Sequence, residues 1–160
     1  MQGHPHSDIE KKIYSIFAEV ASSIGYSPLH GMIIGVLLVK GKPVSLQEVA
    51  EETGYSASMI SLSIDLLEVL GIIKRVKKEA DRKLYLTLQG DMLESLKSAI
   101  VIRLKKSITN SLLEFGEAKE SLGSIEGEDK ERMDKVIHTL EGEIKRLEKY
   151  VNLLSGIRLP

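Results

Sequence analysis

Apolar residues recur at helical spacing over most of this 160-residue chain, with one short interruption near its middle. Ile9, Ile13, Ile16, Phe17, Val20 and Ile24 lie three and four apart and predict a first helix from Ser7 to about Ile24. Ser7, with Glu10 three residues on, reads as a capping box, and Gly25 as the stop. Ser27-Pro28 opens a second helix, an N-cap followed by proline at the first helical position. Met32, Ile33, Val36 and Leu37 carry it to about Val39, and Lys40-Gly41-Lys42-Pro43 is a turn. Ser45 then caps a short helix ending at Thr53, with Glu48 completing a capping box. After the Gly54-Tyr55 turn, Ser56 caps a helix running to Leu70, ended by Gly71 at the C′ position.

The period then changes. Ile72 to Val76 and Leu84 to Thr87 are short β-type runs, and the charged segment Lys77 to Lys83 between them reads as a hairpin tip. From Leu88 the helical pattern returns and holds to about Leu122, with Leu93, Leu96, Ile100, Leu104, Ile108, Leu112 and Phe115 on one face. Gly123 to Gly127 is a break. The last helix covers about Glu128 to Leu154, and Met133, Ile137, Leu140, Ile144, Leu147, Val151 and Leu154 form a strict heptad along it. Leucine or methionine at every d position with Ile or Val at every a position favours a two-stranded seam. Ile137, Leu140, Ile144, Leu147 and Val151 are therefore the candidate dimer seam. The pattern leaves open whether this helix pairs with its twin or folds back on its own chain.

Ser45 to Leu70 has the spacing of a helix-turn-helix. Ala50 is the small residue needed where the two helices cross, Gly54 supports the turn, and Val49 can pack against Ile60, Ile64 and Leu67. A helix held this way can project its outer face into a major groove about 12 Å wide. The hairpin with its basic tip completes a winged helix. The expected fold is mainly α with a small β-wing, a winged helix-turn-helix flanked by N- and C-terminal dimerisation helices. The expected organisation is an N-terminal dimerisation helix over 1–26, a DNA-binding domain over 27–88 and a helical dimerisation region over 89–160.

Charge sharpens this picture. The net charge is only −1, but residues 71–90 carry six Lys/Arg against two Asp/Glu, while residues 1–70 carry four against eight. The local surplus suits a polyanion that the whole molecule would not attract. The absence of cysteine excludes disulfides, thiolate metal sites and cysteine nucleophiles. The longest uncharged stretch, Leu29 to Val39, is too short for a membrane span, and Met1 to Asp8 is not a signal peptide. A cytoplasmic protein is expected.

The run Val44 to Leu86, VSLQEVAEETGYSASMISLSIDLLEVLGIIKRVKKEADRKLYL, resembles the winged helix of MarR-type transcription regulators, and most closely their GbsR branch. Ser56, Ile60, Ser61, Leu67, Glu68, Leu70, Gly71, Ile72 and Ile73 match that branch's pattern. Asp81-Arg82-Lys83 with Tyr85 matches the family's wing. The resemblance implies a homodimer whose two recognition helices read the half-sites of a palindrome in double-stranded DNA. It also implies a small-molecule effector, in some relatives a quaternary ammonium compound. An effector-responsive repressor is the function expected.

Family recognition helices usually carry Lys, Arg or Asn outward. Here Ala57, Met59, Leu62, Asp65, Leu66 and Val69 take those places, and Ser56 to Leu70 holds no Lys or Arg. Ser56, Ser58, Ser61 and Ser63 can hydrogen-bond, and Met59 and Leu62 can pack on thymine methyls. Affinity is then expected from Lys40, Lys42, Lys74, Arg75, Lys77, Lys78, Arg82 and Lys83, with a marked salt dependence. The alternative is a winged helix that docks a protein through its apolar outer face.

Other chemistry is thinly represented. His4, His6, His30 and His138 have no metal-ligand spacing, no phosphate-binding glycine loop is present, and no serine lies in a nucleophile elbow. No cofactor and no enzymatic activity are expected. Tyr14, Phe17 and Tyr26, joined by His30, are the ring cluster from which an effector cage could be built.

Overall fold

The computed structural model describes residues 5–78 and 81–160. Its elements are α1 (Pro5–Ser23), α2 (Pro28–Lys40), β1 (Val44–Ser45), α3 (Leu46–Thr53), α4 (Ala57–Val69), β2 (Ile73–Lys77), β3 (Leu84–Leu88), α5 (Met92–Ser121) and α6 (Glu128–Gly156). They form two units, Met1–Leu96 and Lys97–Pro160. No helix among the described residues is long and apolar enough to cross a membrane.

In the first unit, α1 lies against α2 at unusually short range. Gly31 and Gly35 sit one turn apart on α2, and a Cβ at Gly31 would fall 1.9 Å from the Phe17 carbonyl oxygen. A Cβ at Gly35 would meet the Tyr14 Cα at 3.2 Å. The glycines therefore let the two backbones approach, and the Tyr14 and Phe17 side chains close the contact around them.

Below this pair lies the core. Ile33 and Val36 of α2, Val49 of α3, and Ile60, Ile64 and Leu67 of α4 are fully buried there, with Val44, Ile73 and Leu86 of the sheet. Burial of this kind is the main stabilising term. The expected set of Val49, Ile60, Ile64 and Leu67 is thus in place. Ala50 is half-buried, and its carbonyl accepts the Gly54 amide at 2.9 Å.

Caps set the element boundaries, and three differ from expectation. The first helix begins at Pro5, so Ser7 lies inside its first turn and does not cap it. Proline suits that position, because its missing N–H has no helical partner there. In α3 the Ser45 side chain accepts the Glu48 amide at 3.2 Å, a single cap rather than a reciprocal box. The fifth helix starts at Met92 rather than Leu88. Leu88 instead pairs with Ile73 in the sheet, and Asp91 Oδ1 accepts the Leu93 and Glu94 amides at 2.8 and 2.9 Å. An aspartate at that position satisfies donors that no helical carbonyl can reach.

Other ends follow the pattern. Ser27 caps α2, and the His30 ring completes a capping box there, accepting the Ser27 amide on Nδ1 at 3.1 Å. Gly71, at φ 73°, closes α4 in a paired cap, with Gly71 N–H donating to Glu68 and Ile72 N–H to Leu67.

The sheet has the order β1-β3-β2 and is antiparallel throughout. Val44 pairs with Leu86, which also faces Arg75 in β2. The two-residue strand β1 was not expected, since two residues are too few to show a period. It ties the segment before α3 to the wing.

In the second unit α5 and α6 form an antiparallel hairpin. Lys97 Nζ donates to the Ile157 carbonyl at 2.7 Å at one end, and Lys119 pairs with Glu141 at 2.6 Å toward the other. Between them Val101 and Ile108 bury Val151, and Leu104, Leu112, Ile144 and Leu154 pack around them. The Lys119 ammonium holds the Glu141 carboxyl below its usual range.

Candidate nucleic-acid interface

The fourth helix presents a face with no positive charge. Ile60, Ser63, Ile64 and Leu67 point inward and are buried, so Ser58, Ser61, Leu62, Asp65 and Val69 point outward. Leu62 is 74% exposed, Val69 80% and Met59 48%, so the expected outer face is largely correct. Two positions differ. Leu66 is half-buried, and Ser63 is buried, which removes it from the candidate hydrogen-bonding serines. Ser56 accepts the Met59 amide as the N-cap and lies 3.1 Å from the Ser58 hydroxyl.

Beside this helix the wing is organised by Asp81. Its carboxylate accepts the Lys83 amide at 3.0 Å and the Tyr85 hydroxyl at 2.7 Å. The Tyr85 bond, then the Lys83 amide, holds the Asp81 carboxyl below its usual range, and the same bond raises the Tyr85 phenol. Lys78 lies over the Tyr85 ring, 4.1 Å from its centroid, a cation–π contact that leaves the charge in place. Asp81, in the hairpin loop, and Tyr85, on β3, thus fix the shape of this basic hairpin. Glu79 and Ala80, at the expected tip, lie outside the described residues.

The cations divide into two groups. Lys42, Lys74, Lys77, Arg82 and Lys83 are exposed and form no ion pair with another described residue. Arg75 and Lys40 do not belong with them. The Arg75 guanidinium hydrogen-bonds both Asp65 and Glu68 of α4, a two-carboxylate clamp for which arginine's fork geometry is suited. Lys40 Nζ sits 2.6 Å from Glu52 Oε1. Both were expected to supply affinity for a polyanion, and both are held by internal carboxylates instead. Sequence spacing could have suggested neither, because each pair closes through tertiary contact.

Glu52 receives a second bond, from the Tyr14 hydroxyl at 3.3 Å. Tyr14, Lys40 and Glu52 thereby link α1, α2 and α3. Burial, then the Glu52 charge, pushes the Tyr14 phenol up to about 12. Tyr14 is 2% exposed and offers no open ring face, while Phe17 is half-buried beside the glycine crossing. Tyr26 and His30 meet edge to face at 6.1 Å, with His30 engaged in the α2 cap. An aromatic cage needs several ring faces turned to one cavity. In this structure Tyr14 and Phe17 lie at the helix crossing, and Tyr26 and His30 at the start of α2.

The candidate seam also divides. Val151 is fully buried, and Ile144 and Leu154 pack beside it on α5 of the same chain, while Ile137 is half-buried. Leu140 and Leu147 remain 45% and 39% exposed, as does Met133 at 41%. No group of three His, Asp or Glu side chains suited to a metal occurs among the described residues, and His4 lies outside them.

No protein-family model matches the sequence, and no curated protein is significantly similar to it. Solved structures do resemble the fold. A crystal structure of a transcriptional regulator shares 18% identity over 92% of this chain and 96% of its own, with a TM-score of 0.61. A MepR mutant of S. aureus bound to an oligodeoxyribonucleotide shares 16% identity, covering 88% and 91% of the two chains, with a TM-score of 0.43. A transcriptional regulator from Thermotoga maritima shares 19%, covering 91% and 97%, also at 0.43. The first likeness shows that the two chains share a fold. The two weaker ones carry no weight.

Proposed function

We propose that this chain is a transcriptional regulator of MarR type, of the GbsR branch, that binds double-stranded DNA as a homodimer in the cytoplasm and represses the genes beside its operator. One observation carries this reading. An outward-facing recognition helix stands next to a basic wing whose Lys74, Lys77, Arg82 and Lys83, like Lys42 in the turn before β1, are exposed and form no ion pair with another described residue. The helix would enter the major groove from its Ser56 end while the wing grips the backbone or minor groove. Exposed apolar positions on α1 (Ile9, Ile16, Val20) and on α6 (Met133, Leu140, Leu147) supply surface for the second copy. Two reading heads would then be spaced by about 34–36 Å or a multiple of it. Such a dimer could answer to a small-molecule effector by changing that spacing, since dimer geometry and DNA affinity are linked.

The test is binding to the DNA upstream of the chain's own gene, against scrambled DNA of equal length, at several salt concentrations. Tighter binding to the upstream fragment that persists at physiological salt is expected. Equal, weak binding that vanishes with salt would reduce the wing to a polyanion patch. A second reading, docking of a protein on α4, has the exposure of Leu62 and Val69 in its favour. It predicts that outcome.

A further inference from the structure

Leu62 occupies the centre of the outward face of α4. Ser58, Asp65 and Val69 share its line at helical spacing, and Met59 flanks it. No Lys, Arg, Asn or Gln occurs between Ser56 and Leu70, so the bidentate contacts that read guanine and adenine edges have no donor here. The two carboxylates are held by Arg75, which removes the charge that would repel phosphates. Ser56 and Ser58 are engaged with the cap and with each other. Apart from the exposed Ser61 hydroxyl, which can pair with any base, the groups left to discriminate base pairs are apolar, and the thymine C5-methyl is the apolar group that the major groove displays. The exposed cations of the wing beside this face complement a phosphate backbone, which fixes DNA as its occupant.

We infer that Leu62, with Met59, reads thymine methyl groups, so that the preferred site carries thymine under the centre of α4. This rests on the DNA-binding reading above. In vitro selection from a random duplex pool with the full chain supplies the probe. The selected duplex is then made again with deoxyuridine in place of thymidine, which keeps the pairing and the O4 acceptor and removes only the methyl.

Each contacted methyl lost should weaken binding about fourfold, the effect of one buried apolar carbon. The Leu62→Ala variant should show a smaller uracil penalty than the unaltered chain, and Leu62→Ala with Met59→Ala should bind the two duplexes equally. Both residues are exposed, so these variants keep the core, which a melting curve checks. Equal binding of both duplexes by the unaltered chain would overturn methyl readout and leave DNA binding standing. An undiminished uracil penalty in Leu62→Ala would overturn the assignment to Leu62. Failure to select any duplex above a salt-sensitive background would remove the DNA-binding reading, and this inference with it.

Discussion

Gly31 lies against the Phe17 carbonyl so closely that a Cβ there would stand 1.9 Å from the oxygen, with backbone atoms as its neighbours. Backbone cannot swing aside as a side-chain tip can. Gly31→Ala should therefore push α1 off α2 and cost about 3 kcal/mol or more, at the upper end of overpacking effects. At Gly35 the nearest atoms stand at 3.2 and 3.3 Å. There the helix propensity gained from alanine, about 1 kcal/mol, offsets the small shift Tyr14 must make. Gly35→Ala should stay within about 1 kcal/mol of the parent. Chemical denaturation of both variants checks this, and equal losses would show that the crossing is looser than described.

Arg75 stands between the wing and α4, clamped on Asp65 and Glu68. Its removal would leave two unpaired carboxylates on α4, where the proposed function places DNA. Arg75→Ala is expected to lower affinity for duplex DNA about tenfold, as unpaired like charge at an interface does. Adding Asp65→Asn and Glu68→Gln should restore most of it. If Arg75 contacts phosphate directly, the added changes will not rescue binding.

Arg82 and Lys83 are exposed in the loop of the wing, and the bonds of Asp81 to the Lys83 amide and the Tyr85 hydroxyl hold that loop. Replacing both cations by alanine should weaken DNA binding and flatten the plot of log affinity against log salt. Each lost phosphate contact removes about 0.9 from the slope. Tyr85→Phe keeps the charges and loses the bond to Asp81. It should lower affinity with the slope preserved. Anisotropy titrations from low to physiological salt separate the two effects.

The helices and the wing were legible because each is signalled locally. Ser27, Ser45 and Ser56 cap where their sequence contexts say they should, and Gly41, Gly54 and Gly71 close in left-handed conformations. What escaped was tertiary. The partners of Arg75 are seven and ten residues away along the chain, and Glu52 lies twelve from Lys40 and thirty-eight from Tyr14. The pair Gly31 and Gly35 reads in sequence as two poor helix formers, and its use appears only once α1 is laid on it. Clustering of rings in sequence likewise says nothing of their partners, and the bond from Tyr14 to Glu52 and the His30 cap appear only in the fold.

His30 couples the α2 cap to pH. Burial lowers its pKa from the ordinary 6.5. Its Nδ1 accepts the Ser27 amide, so that nitrogen must be unprotonated. The unfolded chain therefore takes up its proton at higher pH than the folded one. The stability tied to His30 is complete above about pH 6.5 and falls as pH drops toward the lowered folded value. His30→Gln keeps an acceptor at the same capping position and cannot titrate. Urea unfolding should show the parent losing stability relative to this variant between pH 7.5 and 5, by no more than about 1.4 kcal/mol per pH unit. Parallel curves would mean that the ring is not constrained by the cap.

The heptad of α6 serves two surfaces, and the two can be tested apart. Val151 and Ile144, at a positions, are taken up by α5 of the same chain, while Leu140 and Leu147, at d positions, stay partly open. Val151→Ala should destabilise the hairpin by roughly 2 kcal/mol, through lost burial and the cavity left behind. It should leave the oligomeric state unchanged. Leu140→Glu with Leu147→Glu should do the reverse, giving a monomer by light scattering while the melting transition of the hairpin persists. One partner helix cannot cover the whole stripe, so Leu140 and Leu147 stay partly open while Leu154, also at a d position, packs on α5. A dimer that survives the double glutamate would assign d positions to solvent and leave the α1 stripe of Ile9, Ile16 and Val20 as the surface for the second copy.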